Sequence, residues 1–207
     1  MSTRAVRSRL LILQQDRRAA ALGRELLDSK REAILRELLQ RVRRRNELRE
    51  SIRRHAADAR RVLREACVEN GTARVDAAVL AQPVTASIAV RSTSLIGVQM
   101  PRLHPRISPF APQYGIAATS ARLDEAGRRY TALLAPMAAL AEAEEAVRNL
   151  QTALRKAVRR LKAVERIVIP TLEREMREVT ATLEEEERDE SIRRKIWLAR
   201  DRAAQTK

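Results

Sequence analysis

Apolar residues recur at helical spacing in two long arms of this chain, and at a spacing of two in the short stretch between them. In the first arm Leu27, Ile34, Leu38, Leu48, Ile52, Ala59 and Val62 follow at steps of three, four, seven or ten, the spacing of one helix face. Strict heptad bookkeeping also puts Arg31, Arg41, Arg45 and His55 on that face, with Leu35 and Val42 one step aside. The buried stripe is therefore expected to drift around the helix and not to form a regular zipper. The second arm is cleaner: Val147, Leu150, Leu154, Ala157, Leu161, Val164, Val168, Leu172, Met176, Val179 and Leu183 keep steps of three and four. Upstream, Tyr130, Leu133, Met137 and Leu140 extend the same face.

Two prolines interrupt the second arm, Pro136 and Pro170. Each removes a backbone donor and crowds the preceding turn, at about 3 kcal/mol if unrelieved. The apolar period resumes on both sides, so a kink at Pro170 is expected and not a stop. At 1.5 Å per residue the arms would be roughly 100 and 125 Å long.

The centre differs in kind. It holds Pro83, Pro101, Pro105, Pro109 and Pro112, with Gly71, Gly97 and Gly115. Ile88 and Val90 alternate with Ala89 and Arg91; Ile96, Val98 and Met100 alternate with Gly97 and Gln99. Ser92 to Ser94 lie between these runs. Alternation across a short polar break predicts a β-hairpin, and residues 102–118 read as irregular loop. An isolated hairpin is marginal in water, so it is expected to pack on the arms or on a partner. The chain thus reads as an N-terminal coiled-coil helix (1–68), a hairpin and proline-rich region (69–118) and a C-terminal coiled-coil helix (119–207). The fold class is all-α dominated, a long antiparallel two-helix coiled coil with a short central β-hairpin, forming one structural unit.

Composition sharpens this. Charged residues make up 33% of the 207, aromatics only 2%, and much of the apolar content is alanine. Alanine favours helix but buries little area. The core should be a thin seam, with each arm's stripe covered by the other arm. The net charge of +15 implies either a solvated arginine-rich surface or an acidic partner. A protein partner is favoured over nucleic acid, because no set of aromatic residues is present for stacking on bases.

No glycine-rich phosphate loop occurs, so no nucleotide site is expected. His55, His104 and the single cysteine, Cys67, cannot make a conventional zinc site, and one cysteine allows no internal disulfide. No nucleophile, base and orienting acid can be picked out, so a non-enzyme without cofactor is expected. Arg4, Arg7 and Arg9 precede only Leu10 to Leu13, too short for a signal-peptide core. No apolar run approaches the roughly 18 residues of a membrane span. Trp197, the one tryptophan, either closes the end of its arm or anchors a partner.

Several stretches then match something specific, in order along the chain. Leu22-Gly23-Arg24-Glu25-Leu26-Leu27-Asp28-Ser29-Lys30-Arg31-Glu32 opens the series. Ile96-Gly97-Val98-Gln99-Met100-Pro101, then Tyr114-Gly115, Thr119-Ser120 and Leu123-Asp124 follow, with Leu140-Ala141-Glu142 and Glu144 after them. The second arm adds Arg159-Arg160-Leu161-Lys162-Ala163-Val164-Glu165-Arg166-Ile167-Val168-Ile169-Pro170 and Leu183-Glu184-Glu185-Glu186-Glu187-Arg188-Asp189-Glu190. The series resembles the D subunit of the V-type and A-type rotary ATPases. Lys162 stands where that family has asparagine, and Val164 where it has leucine.

The resemblance implies a central-stalk rotor shaft. It would turn inside a ring of A and B subunits and couple ATP hydrolysis or synthesis to proton or sodium-ion transport. The implied partners are the A and B subunits of the catalytic ring, the F subunit of the central stalk and the adaptor on the membrane ring. The implied location is cytoplasmic, at the inner face of the cell membrane through the complex. Leu27, Ile34, Leu38, Leu48, Ile52, Leu154, Leu161, Val164, Val168, Leu172, Val179 and Leu183 are expected to form the seam. Ile88, Val90, Ile96, Gly97, Val98, Met100 and Pro101 are expected to form the partner-contact hairpin. The competing readings are a basic coiled coil that binds nucleic acid, with affinity falling steeply in salt, and a scaffold hairpin that grips client peptides.

Overall fold

Between Arg24 and Asn70 the chain contains neither glycine nor proline, and its residues are strong helix formers. In a computed structural model, which describes residues 3–83, 86–115 and 119–205, this stretch lies in one unbroken helix, α1 (Thr3–Asn70). Gly71, with φ of 80°, ends it: its amide donates to the Cys67 carbonyl, and a side chain at that φ would be strained. Then come α2 (Thr72–Leu80), β1 (Ala86–Leu95), β2 (Val98–Ile107), α3 (Ala121–Ala163), a π-helical turn (Val164–Val168) and α4 (Ile169–Gln205). The fold is thus dominated by long N-terminal and C-terminal helices around a two-stranded antiparallel sheet. No helix among the described residues is long and apolar enough to cross a membrane.

The chain divides into two compact units, residues 1–32 with 155–207, and residues 33–154. In the first, α1 runs antiparallel to the end of α3 and to α4. Arg7 meets Glu187 at 2.8 Å, Arg17 meets Glu173 at 3.7 Å and Arg24 meets Glu165 at 2.7 Å. These pairs are largely solvated and worth about 0–1 kcal/mol each, so they record register more than they stabilise it. Hydrogen bonding to Glu165 holds the Arg24 guanidinium above its ordinary pKa. The buried contacts are Val6, Leu13, Ala157 and Leu161.

The π turn explains how the second arm passes its proline. The Ile169 amide donates to the carbonyl of Val164, five residues back. Pro170 follows at once, and in a regular α-helix its ring would press on the carbonyl of Arg166. Widening the preceding turn by one residue relieves that clash and lets the helix continue.

The second unit holds the larger core. Ile34, Ala59, Val62 and Ala66 of α1 are buried with Val75 and Ala78 of α2, Val98 and Met100 of β2, and Leu123, Ala126, Leu133, Ala138, Ala143, Ala146, Val147 and Leu150 of α3. Many of these are alanines, which let backbones approach closely; no polar side chain is buried among the described residues. Cross-ties run antiparallel: Arg49 to Glu144 at 2.6 Å, and Asn70 Nδ2 to Ser120 Oγ at 2.8 Å. Arg122 pairs with both Glu65 and Glu69. The helix α2 is an addition to the elements expected from the sequence, although Val75, Ala78 and Val79 have helical spacing.

The hairpin corrects the expectation in two respects. Ser92–Ser94 are not its turn but lie within β1, and residues 102–107 are not loop but the second half of β2. The turn is Ile96-Gly97, between the paired Leu95 and Val98, with φ of 55° and 74°. Positive φ at both positions is the type I′ requirement, which matches strand twist. Pro101 and Pro105 sit in β2 because the register makes them tolerable. Counting from the closing pair Leu95–Val98, residues 99, 101, 103, 105 and 107 turn their backbone groups away from β1. A proline there removes no ladder bond. The same outer edge of β2 is bonded to α3, where Leu103 N donates to Glu142 Oε2 at 3.0 Å and the Gln99 carbonyl accepts from Asn149 at 3.0 Å.

Isoleucine at φ of 55° is a strained choice, since β-branched residues disfavour the left-handed region. Ile96→Asn should therefore raise stability by about 1 kcal/mol, because Asn-Gly is the preferred type I′ pair. Thermal melting checks this; an unchanged or lower melting temperature would mean that Ile96 makes contacts worth more than its strain.

Candidate functional site

Three places carry the residues singled out in the sequence: the interhelical seam, the turn before Pro170 and the hairpin. Along the seam Ile34 and Leu161 are buried. Leu27, Leu38, Leu48, Ile52, Leu154, Val164, Leu172, Val179 and Leu183 are less deeply placed along the same helices. Val168 is the exception, 41% exposed. The π turn causes this: one extra residue in the turn passes the packed position from Val168 to Ile169, which is partly buried, and Leu172 follows it on the seam. Val168→Asp should then cost no more than about 0.5 kcal/mol. Ile169→Asp should cost about 2 kcal/mol or more, by placing a carboxylate against the neighbouring helix. Equal melting temperatures for the two variants would contradict this register.

The hairpin residues separate into two sets. Ile88, Val90, Ile96 and Gly97 are exposed, whereas Val98 and Met100 are buried within the unit and Pro101 is partly buried. Val98 and Met100 therefore cannot present their side chains to a partner as expected; they anchor the turn end of the hairpin within the unit, and β2 is the strand bonded to α3. Arg102 Nη1 also meets Glu142, at 3.0 Å.

Sequence reasoning missed a third feature, an apolar cleft of about 340 Å³ bounded by α1, α2, α3 and the segment after β2. The ring of Phe110 covers Gly127 of α3 so closely that a β-carbon there would overlap it. Tyr114 Oη donates to Asp124 Oδ1 at 2.6 Å. Burial, and then that hydrogen bond, push the Tyr114 phenol well above its ordinary pKa. The raised value means that the folded state keeps the proton longer than the unfolded chain. This contribution is complete below about pH 10 and is lost as pH rises through the folded value. Tyr114→Phe should cost about 1–2 kcal/mol at neutral pH, and the alkaline limb of a melting-temperature profile should flatten in the variant. An identical alkaline limb in both proteins would rule out this coupling.

The far end of α4 is the last distinctive surface. Beyond Glu187, which pairs with Arg7 near the described start of α1, residues 188–198 are all exposed. They include Ile192, Ile196, Leu198 and Trp197, the last 65% exposed, so Trp197 does not close its arm by burial. Among the described residues no group of His, Cys, Asp and Glu could hold a metal ion.

A family model for the ATP synthase D subunit matches residues 9–199. The chain belongs to the ATP synthase D-subunit family. Among curated relatives, the A-type ATP synthase D subunit of Methanopyrus kandleri is 34% identical over 145 residues, covering 69% of this chain and 62% of that one. The V-type ATP synthase D subunit of Thermotoga neapolitana is 30% identical over 156 residues, 75% of this chain and 77% of the relative. The A-type D subunit of Pyrococcus furiosus is 28% identical over 159 residues, 75% and 74% of the two chains. The match to the Methanopyrus protein thus spans less than two thirds of that relative.

Proposed function

We propose that this chain is the central-stalk rotor of a V/A-type rotary ATPase. On this reading it couples ATP hydrolysis or synthesis in a ring of A and B subunits to proton or sodium-ion transport. The observation that carries the reading is the D-subunit match across residues 9–199. The shape of each unit supports it. Two helices packed along a seam resist twisting better than one, and an asymmetric surface lets each rotary position favour a different state of the surrounding subunits.

Roles follow for particular residues. The seam from Leu27 to Ile52 and from Leu154 to Leu183 stiffens the shaft, with Ile169 in place of Val168. The exposed end of α4, with Ile192, Ile196 and Trp197, enters the ring, where a few apolar points on a charged helix give contact without adhesion. The hairpin meets the F subunit through its exposed residues, Ile88, Val90, Ile96 and Gly97. The adaptor on the membrane ring is the remaining partner. The complex holds the chain at the inner face of the cell membrane; the chain itself inserts no span and binds no nucleotide or cofactor. The net charge of +15 suits acidic loops on the ring.

The test is co-purification with the A, B and F subunits of the same organism, followed by the ATPase rate of the ring with and without the chain. The reading expects one copy per ring and a changed rate. A ring that assembles and hydrolyses ATP identically without binding the chain would reject it.

A further inference from the structure

The two edges of the hairpin are not alike. The outer edge of β2 is closed: Pro101 and Pro105 remove two donors, and Glu142 and Asn149 of α3 bond to Leu103 and Gln99. The outer edge of β1 is open. In an antiparallel pair the residues opposite outward-facing ones also face outward, on the other side. Val90 is opposite Leu103, Ile88 opposite Pro105, Ser92 opposite Pro101 and Ser94 opposite Gln99. The N–H and C=O groups of Ile88, Val90, Ser92 and Ser94 therefore point out from β1, away from β2. No proline interrupts β1, and residues 87–94 are exposed throughout. Proteins generally blunt such an edge with proline, a bulge, charge or a covering element. Here β2 has two of those devices, and β1 has only Arg91 on its length.

The side chains define what could pair there. Cross-strand partners share a face, so Ile88 and Val90 lie on one face with Leu103 and Pro105. Val90 is 68% exposed and Ile88 53%. The other face sets Arg91 directly opposite Arg102, with Arg106 opposite Ser87. Like charges directly opposite one another destabilise a hairpin. Arg102 is compensated by Glu142, but Arg91 and Arg106 make no ion pair among the described residues.

We infer that the open edge of β1 accepts an extended acidic polypeptide segment as a third strand. The segment alternates apolar and acidic residues, the apolar ones continuing the Ile88–Val90 face and the acidic ones neutralising Arg91 and Arg106. Main-chain bonds supply the pairing and the alternation supplies the selectivity. This deepens the reading of the hairpin as a partner-contact element and rests on it, but not on the shaft role.

The test uses the full chain and two synthetic nine-residue strand peptides, one alternating valine with glutamate and one alternating valine with lysine. In the free chain the amides of Ala89, Arg91 and Thr93, which face β2, are expected to exchange slowly with deuterium, and those of Ile88, Val90 and Ser92 quickly. The glutamate peptide should slow the second set at least tenfold, and the lysine peptide should bind at least tenfold more weakly. Val90→Pro removes one outward donor at a position equivalent to Pro101, so the hairpin should persist, as continued protection of Ala89 and Thr93 would verify. It should weaken the glutamate peptide at least tenfold, as should the double variant Arg91→Glu/Arg106→Glu. The inference is overturned by failure of the glutamate peptide to bind, by equal binding of the lysine peptide, or by undiminished binding to either variant. Binding that survives Val90→Pro but is lost when residues 86–107 are replaced by a short linker would overturn the edge pairing while leaving the hairpin as a contact element.

Discussion

Leu150→Asp should unfold the second unit under conditions where the unaltered chain is folded. Among the described residues Leu150 and Ile34 are the largest side chains that are fully buried, and the surroundings of Leu150 on α3 include Val147, Ala146 and Ala143, none of which can pair with a charge. Truncation to alanine alone would remove a buried leucine and leave a cavity, at about 2–5 kcal/mol. Aspartate adds the desolvation of a carboxylate, several kcal/mol more unless it stays protonated. Because a domain of this size has a total stability of about 5–15 kcal/mol, the loss is a large part of the whole. Circular dichroism and urea titration measure it: the expected result is a midpoint collapse for Leu150→Asp and a partial fall for Leu150→Ala. A midpoint unchanged by the aspartate would mean that α3 does not pack on this face.

Gly127→Leu should be the next most damaging change, although glycine buries almost nothing. Its effect comes from Phe110, whose ring occupies the space a side chain would need. The leucine must expel the ring, exposing an aromatic side chain and opening the cleft that Tyr114 and Leu123 help to line. Partial loss of Phe110 burial and of its neighbours' contacts amounts to about 2–4 kcal/mol. Phe110→Ala alone should cost about 2–3 kcal/mol. In the double variant the leucine fills the vacated space, so the combined cost should fall below the sum by about 1 kcal/mol or more, on the order of coupling seen for contacting residues. Strict additivity in the melting data would show that the two residues do not touch.

These sites mark where the sequence is readable and where it is not. The two arms are legible because a buried helix face repeats along the chain: Ile34, Leu161 and Leu150 appear at their places in a period of three and four. Val168 departs from the expected seam because that period assumes regular helix, and the Pro170 ring forces one wider turn. The hairpin is legible from the alternation at Ile88–Val90 and Ile96–Met100, but the position of its turn is not. A serine-rich run looks like a turn, whereas Ile96-Gly97 lacks the asparagine that usually marks type I′. Pro105 reads as loop because the tolerance for proline depends on which way its N–H points, which only the register reveals. Phe110 and Gly127 lie on different segments, one in the stretch after β2 and one in α3, and share no periodic pattern, so only folding brings them together. Trp197 stands out in the composition, but a single tryptophan in a helical pattern carries no sign of its 65% exposure.

The central claim is rotation, and it can be watched. With the ring of A and B subunits fixed to a surface and a bead attached through a cysteine introduced at Arg91 on β1, added ATP should turn the bead continuously in one direction, and withdrawing ATP should stop it. Hydrolysis by the fixed ring while the attached bead shows no directed rotation would contradict the account, because a chain that does not turn relative to the ring cannot be its shaft.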